Sequence, residues 1–294
     1  MPHHRTPFLL PPGVARPRVV VLGSGRKPNV QSEAARLRPL IEQSCEIVCW
    51  DLESATDLAR CEADATIVLG GDGAILRAAR QMGYRQLPVL GVNLGKLGFL
   101  ADLSTDELLA VLPTLGSGQF AVVEHLMFEA LVSRGGEPLH AQLGLNDVVL
   151  HSGEPFHLVD VHLYVDAELV TTYSCDGLIV STPVGSTAYN LSAGGPILRK
   201  DLHAFVISPI NPHTLTNRPV VDSADRVYEL EVTAPNRGTA VVVDGQWTCG
   251  LQPHDRVRVI QAEPRFKMIK APGHSYYRTL REKLGWGGQL RLNQ

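Results

Sequence analysis

"ATIVLGGDGAILRAARQM", residues 65–82, passes from a β-branched apolar run through a glycine turn directly into residues with helical periodicity. A strand joined to a helix in this way is the repeating piece of a parallel sheet covered by helices, so this stretch sets the fold class. Outward on either side, "RVVVLG" (18–23), "EIVCW" (46–50) and "LPVLGVN" (87–93) are the companion strands. "VQSEAARLRPLIEQS" (30–44) is predicted to be a helix with Ala35, Leu37, Leu40 and Ile41 on one side. "STDELLAVL" (104–112) is predicted to open on a capping box of Ser104 and Glu107.

The period then changes from helical to two. In "HLVDVHLYV" (157–165) Val159, Val161, Leu163 and Val165 would share one face, and "RVYELEVTA" (226–234), "TAVVVDGQW" (239–247) and "DRVRVIQAE" (255–263) continue the pattern between turn residues. Helical signal returns only in "SYYRTLREKLGW" (275–286). The expectation is therefore α/β plus all-β: a Rossmann-like α/β domain over 1–118 and a β-rich domain over 119–264. The last stretch, 265–294, packs its helix back on the first domain.

Composition narrows the function classes. With 294 residues, 44% hydrophobic, the chain can bury real cores, and a net charge of −3 gives no basic field for nucleic acid or anionic lipid. A small charged metabolite suits it better. The five cysteines form no Cys-x-x-Cys pair and, being odd in number, point to reduced thiols in a cytoplasm. The N-terminal apolar run, Phe8 to Leu10 between prolines, is too short for a signal peptide or anchor, so no membrane partner is expected.

Within the opening stretch, Gly70, Gly71 and Gly73 allow a tight turn with exposed backbone N–H groups at a helix start, which suits a phosphate. Asp72 stands in the middle of it. A helix N-terminus favours a carboxylate by about 0.3–1 kcal/mol, whereas two negative charges about 4 Å apart repel by roughly 4 kcal/mol near a surface. Asp72 therefore needs a cation beside it, or a hydroxyl from which it takes a proton. The second is what phosphoryl transfer to an alcohol requires, with Arg77 available to neutralise phosphate oxygens. The plainer reading, a helix cap with a solvated Arg77, stays open at this stage. "LGSGRKPN" (22–29) is a weak dinucleotide fingerprint, because Pro28 stands where the third glycine belongs, although Asp51 ends the next strand.

"SCDGLIVSTPVGSTAYNLSAGGPI" (174–197) is dense in small hydrogen-bonding residues, beyond what a turn needs. Thr187, Asn190 and Ser192 offer donors and acceptors for a base or ribose, and Tyr189 a flat face for stacking. "GLNDVVLH" (144–151) and "VVVDGQW" (241–247) set Asn146, Asp147, Asp244 and Gln246 beside apolar strands, where a strand end with turn residues is the competing reading. No histidine pair or Cys–His set has zinc spacing, so a protein metal cage is not expected.

With "GGDG" (70–73), "NLGKLGFL" (93–100), "LNDVVLH" (145–151), "DGLIVSTPVGSTAYNLSAGGP" (176–196), "NPHTLTNRPVV" (211–221) and "YYRTLREKLGW" (276–286) in this order, the chain resembles the bacterial NAD kinases. The resemblance implies phosphorylation of the 2′-hydroxyl of the adenosine ribose of NAD to give NADP. ATP, or alternatively polyphosphate, is the donor, a divalent cation such as Mg²⁺ arrives with the nucleotide, and the fold is an α/β domain followed by a β-sandwich-like one, which makes the β-rich domain over 119–264 the NAD-binding one. It places the general base on Asp72, ribose contacts on Asn146 and Asp147, and adenine contacts on Thr187, Ala188 and Tyr189. Asn190, Leu191 and Ser192 line the same site. Gly73, Arg77, Asp176 and Gln246 fall on family binding positions, as do His157 and Ser174, where some members carry basic residues, and a homodimer or homotetramer is expected. Ala74 departs from the pattern by lacking the hydroxyl common after GGDG. Two alternatives are a lipid kinase sharing the GGDG turn, which would need an acyl pocket, and a non-catalytic NAD(P) sensor, which would have no use for Asp72.

Overall fold

The structure, a computed structural model, describes residues 5–10, 16–25, 28–95, 97–154, 158–214, 216–273 and 275–286. The chain divides into two compact units, one from residues 1–124 with 267–294 and the other from 125–266.

The first unit begins with β1 (Arg5–Leu9), β2 (Arg18–Gly23), α1 (Pro28–Ser44), β3 (Glu46–Asp51), β4 (Ala65–Leu69), α2 (Asp72–Met82), β5 (Val89–Val92), α3 (Thr105–Val111) and β6 (Ser117–His125). β2 to β5 are parallel neighbours in the order β3-β2-β4-β5. β4 is buried from end to end, as a strand covered on both faces must be, which is why its sequence is a continuous apolar run rather than an alternating one. α1 packs through Val30, Ala34, Leu37 and Ile41. The expected stripe is thus half corrected: Ala35 is exposed and Leu40 only partly covered, because the 3.6-residue period continues from Val30 rather than from Ala35. α3 carries the expected capping box, Ser104 accepting the Glu107 N–H while the Glu107 carboxylate accepts the Ser104 N–H.

The second unit is all antiparallel. It contains β7 (Phe128–Arg134), β8 (Glu137–Gly144), β9 (Asp147–His151), β10 (Val159–Val165), β11 (Glu168–Cys175), β12 (Gly177–Ser181), a single helical turn α4 (Tyr189–Ser192), β13 (Ala204–Ile210), β14 (Val220–Ser223), β15 (Tyr228–Val232), β16 (Ala240–Val243), β17 (Trp247–Gly250) and β18 (Arg256–Gln261). Two six-stranded sheets, β11-β10-β15-β18-β7-β8 and β14-β13-β12-β9-β16-β17, enclose one core. Val159, Val161 and Leu163 enter it from the first sheet and Val148, Leu150, Leu178 and Val180 from the second, so period-2 alternation becomes a β-sandwich.

The chain then returns to the first unit. β19 (Phe266–Lys270) pairs parallel with β5, and α5 (Tyr276–Leu284) buries Leu280. No helix among the described residues is long and apolar enough to cross a membrane.

Candidate functional site

In the first unit the site grows from the carboxyl ends of β4 and β5, the edge where parallel sheets place their ligands. The Gly70 N–H donates to the Val92 carbonyl at 2.8 Å, and Gly70 turns the chain with φ +145°, a conformation that L side chains rarely adopt. Gly71 caps α2, and α2 begins at Asp72. A side chain at Gly71 or Gly73 would meet nothing within 4 Å, so the two glycines leave the start of the helix open to an approaching group. Arg77 stands half-buried in the second turn of α2, where the helix dipole disfavours a cation less than in the first.

Asp72 is more than a cap. Its Oδ2 accepts the Phe99 N–H at 2.8 Å, while Oδ1 accepts the N–H groups of Leu100 and Ala101 at 2.9 and 3.0 Å. These three amides belong to a turn closed by Gly98 N–H to Ala101 C=O at 3.0 Å, in the segment that leaves the end of β5. The turn also lies under the terminal helix, where the Lys283 ammonium sits 5.4 Å from the Phe99 ring centre. An ionised carboxylate offers about four lone-pair directions. Among the described residues three are taken, and the one left is on Oδ2. The arrangement holds a proton acceptor in one orientation with one site open.

The weak dinucleotide fingerprint has a packing explanation. A Cβ on Gly23 would come 2.8 Å from Leu52 Cδ2, and Gly25 donates its N–H to the Leu52 carbonyl at 2.7 Å, so the glycines admit the end of β3. Asp51, the candidate ribose acid, is occupied by its own loop. Burial works against its charge, but the N–H groups of Thr56 and Glu53 and the Gln81 amide outweigh it and bring its pKa down to about 2.

In the second unit the Asn146–Asp147 pair leads into β9, with β12 and β16 on either side. The Asn146 carbonyl accepts the Thr182 N–H at 2.9 Å and the Ser181 hydroxyl at 3.2 Å, and Gly185 approaches so closely that a Cβ there would lie 2.1 Å from it. On the donor side, the Asp244 carboxylate accepts the N–H groups of Leu145, Asn146 and Asp147 at 2.8, 2.7 and 3.2 Å. With the Asn146 backbone taken on both sides, its half-buried side chain is the group left to meet a ligand. The Asp147 carboxyl is buried. Burial first, then the nearby Asp244 charge, push its pKa up to about 7, and no hydrogen-bonding group among the described residues offsets them.

The long loop after β12 crosses the face of its sheet turned away from the shared core. Asn190 anchors it there: Nδ2 donates to the Ser186 and Pro196 carbonyls, at 3.1 and 3.0 Å, and Oδ1 accepts the Ser208 hydroxyl at 2.7 Å. Completely buried, Asn190 holds the loop in shape and does not present its amide outward, as the sequence had suggested. Thr187 is buried too, its hydroxyl donating to the Val184 carbonyl at 3.2 Å. Tyr189 is exposed and stacks on His151, ring centres 5.6 Å apart and 27° from parallel. Ala188 and Leu191 are half-covered and Ser192 is exposed.

The remaining candidates are more scattered. Asp176 accepts the Asn211 amide at 2.9 Å on the chain between β11 and β12. Ser174 donates its hydroxyl to Asp160 across β10 and β11. Gln246 closes the β16–β17 turn through its N–H to the Val243 carbonyl at 3.0 Å. His157 lies outside the described residues. Among those residues, no group of three or more His, Cys, Asp or Glu side chains could hold a metal ion.

Comparison with known proteins identifies the family. The family model described as the ATP-NAD kinase N-terminal domain matches residues 23–120, and that of the ATP-NAD kinase C-terminal domain matches 145–271. The chain is 54% identical over 278 residues to an NAD kinase of Rhodopirellula baltica, covering 95% of this chain and 89% of that one. It is 37% identical over 288 residues to an NAD kinase of Nitrosomonas eutropha, covering 94% and 97%. Among solved structures, yeast NADH kinase complexed with NADH superposes with a TM-score of 0.82 at 22% identity, over 94% of this chain and 90% of that one. An NAD kinase from Archaeoglobus fulgidus in complex with ATP gives a TM-score of 0.73 at 26% identity, over 91% and 98%. With two family domains matched in order and a relative this similar along nearly its whole length, the chain belongs to the ATP-NAD kinase family.

Proposed function

We propose that this chain is an NAD kinase, transferring the terminal phosphoryl group of ATP to the 2′-hydroxyl of the adenosine ribose of NAD and releasing NADP and ADP. The observation that carries the reading is the Asp72 carboxylate, fixed by three N–H groups with one lone pair open on Oδ2. In the reaction Oδ2 takes the proton of the 2′-hydroxyl, the ribose oxygen forms a bond to the terminal phosphorus, and the bond from that phosphorus to ADP breaks. The open glycine turn and the start of α2 receive phosphate oxygens, and Arg77 neutralises part of their charge. In the second unit Asn146 and Asp147 hold ribose hydroxyls, Tyr189 stacks on adenine, and Thr187 and Ala188 border it. Asn190 acts through the shape of the loop. Gly73, Asp176, Gln246, Ser174, Leu191 and Ser192 complete the contacts.

A divalent cation enters with the nucleotide, as Mg²⁺ is commonly carried by substrate phosphates. The working form is a homodimer or homotetramer. It acts in a cytoplasm, consistent with five free cysteines.

Purified protein given ATP, Mg²⁺ and NAD is expected to make NADP, read by coupling to an NADP-dependent dehydrogenase. Polyphosphate and NADH arms of the same assay fix the donor and the acceptor. No NADP above a heat-treated control, with NAD binding intact, would replace this reading with that of a sensor.

A further inference from the structure

Asp244 is the residue between β16 and the chain reversal into β17. Asp244 and Gly245 both have positive φ, +50° and +63°, and the Gln246 N–H closes the turn on the Val243 carbonyl. An Asp-Gly pair is favoured in such a reversal for its backbone alone. The turn does not explain the side chain. Its carboxylate collects three successive amides from a segment about one hundred residues away in sequence, those of Leu145, Asn146 and Asp147. The Asp244 N–H in turn donates to the Asp147 carbonyl at 2.9 Å.

We propose that Asp244 is a positioning residue for NAD recognition, its carboxylate fixing the backbone that aims the Asn146 and Asp147 side chains at the ribose. The inference rests on the reading that this pair binds NAD. Hydrogen bonds to a charged acceptor are the stronger kind, and three on one carboxylate set the peptide planes on both sides of Asn146. A neutral residue could serve the turn, yet here a half-buried acid is kept beside the buried Asp147. Among the described residues Asp244 is the one charged group acting on Asp147, whose carboxyl it helps keep protonated to about pH 7.

The test is Asp244→Asn, with Asp244→Gly beside it. Both residues adopt positive φ readily, so the turn is kept. The asparagine amide nitrogen cannot accept an N–H, and at least one of the three bonds is lost with the charge. The expected result is a KM for NAD and a calorimetric Kd raised about tenfold, the loss of one charge-assisted bond, with a smaller change in kcat. The pH midpoint of NAD affinity should also move toward acid, because Asp147 no longer faces a like charge. If KM and Kd stay within twofold of the parent, or the midpoint does not move, Asp244 is a turn residue only and the proposal fails. Failure of the NAD kinase reading looks different: the parent protein itself makes no NADP.

Discussion

Adding one methyl group at Gly98 should disable Asp72 without touching it chemically. The backbone at Gly98 is not in the left-handed region, so alanine is allowed there on conformation alone. The obstacle is the carboxylate: a Cβ would lie 2.1 Å from Asp72 Oδ1 and 2.9 Å from Cγ. To restore an ordinary contact, the carboxylate or the turn must move by about 1 Å or more. That displacement falls on Oδ1, which accepts from Leu100 and Ala101 at 2.9 and 3.0 Å, and opens both bonds. A misplacement of about 1 Å in a reacting group costs on the order of 10²-fold in rate, and overpacking costs about 1–3 kcal/mol of stability. Gly98→Ala is therefore expected to lower kcat about 100-fold in the coupled assay and to leave the KM for NAD within a few-fold. Its melting midpoint should fall by several degrees. Gly95→Ala is the control, since a Cβ there meets nothing within 4 Å. A folded Gly98→Ala protein with kcat within threefold of the parent would refute the claim that this turn sets the position of the base.

Two further substitutions probe the carboxylates directly. Asp72→Asn should lower kcat by at least about 10²-fold while NAD affinity, by calorimetry, stays nearly constant; unchanged turnover would leave Asp72 as a helix cap only. Asp147→Asn should weaken NAD binding and yet stabilise the fold above neutrality. The folded pKa of Asp147 is raised, to about 7, over an unfolded value of about 3.9, so the folded state holds the extra proton between them and stability declines as pH rises through that window. The neutral amide removes the decline. Its melting midpoint should exceed the parent's at pH 8 by about 10 °C and match it near pH 4; no pH dependence in the difference would mean that Asp147 is not held protonated by the fold.

How much of this could be read from the chain depended on the distance between partners. β2 coincides with "RVVVLG", and the capping box of α3 forms as expected, because each is decided by residues within a few positions of one another. In α1 the expected stripe starts on the wrong alanine: Ala34 and Ala35 are equally apolar, and the 3.6-residue period from the buried Val30 covers Ala34. At the site, residue types were legible where a motif is contiguous, as in Gly-Gly-Asp-Gly and Asn-Asp. What those residues touch was not. Asn190 looked like a ligand group because amides are enriched in binding loops, but its three bonds go to Ser186, Pro196 and Ser208. The stack of Tyr189 on His151 joins two segments with no shared pattern.

The same limit explains why two acids looked alike on paper and Asp244 looked like less. Asp72 and Asp244 each follow a β-branched strand, each is followed by glycine, and each collects three successive N–H groups from a distant turn. Sequence motifs marked the first because its glycines are unusual, and left the second open because Asp-Gly after a strand is ordinary hairpin chemistry. Their surroundings separate them. The bonds on Asp72 leave a lone pair open on a half-buried carboxylate, which suits a base. Those on Asp244 point into the backbone of the residues proposed to hold the ribose, which suits a brace. A carboxylate bound by three amides is thus one local solution used for two purposes, and the purpose is set by what the amides belong to.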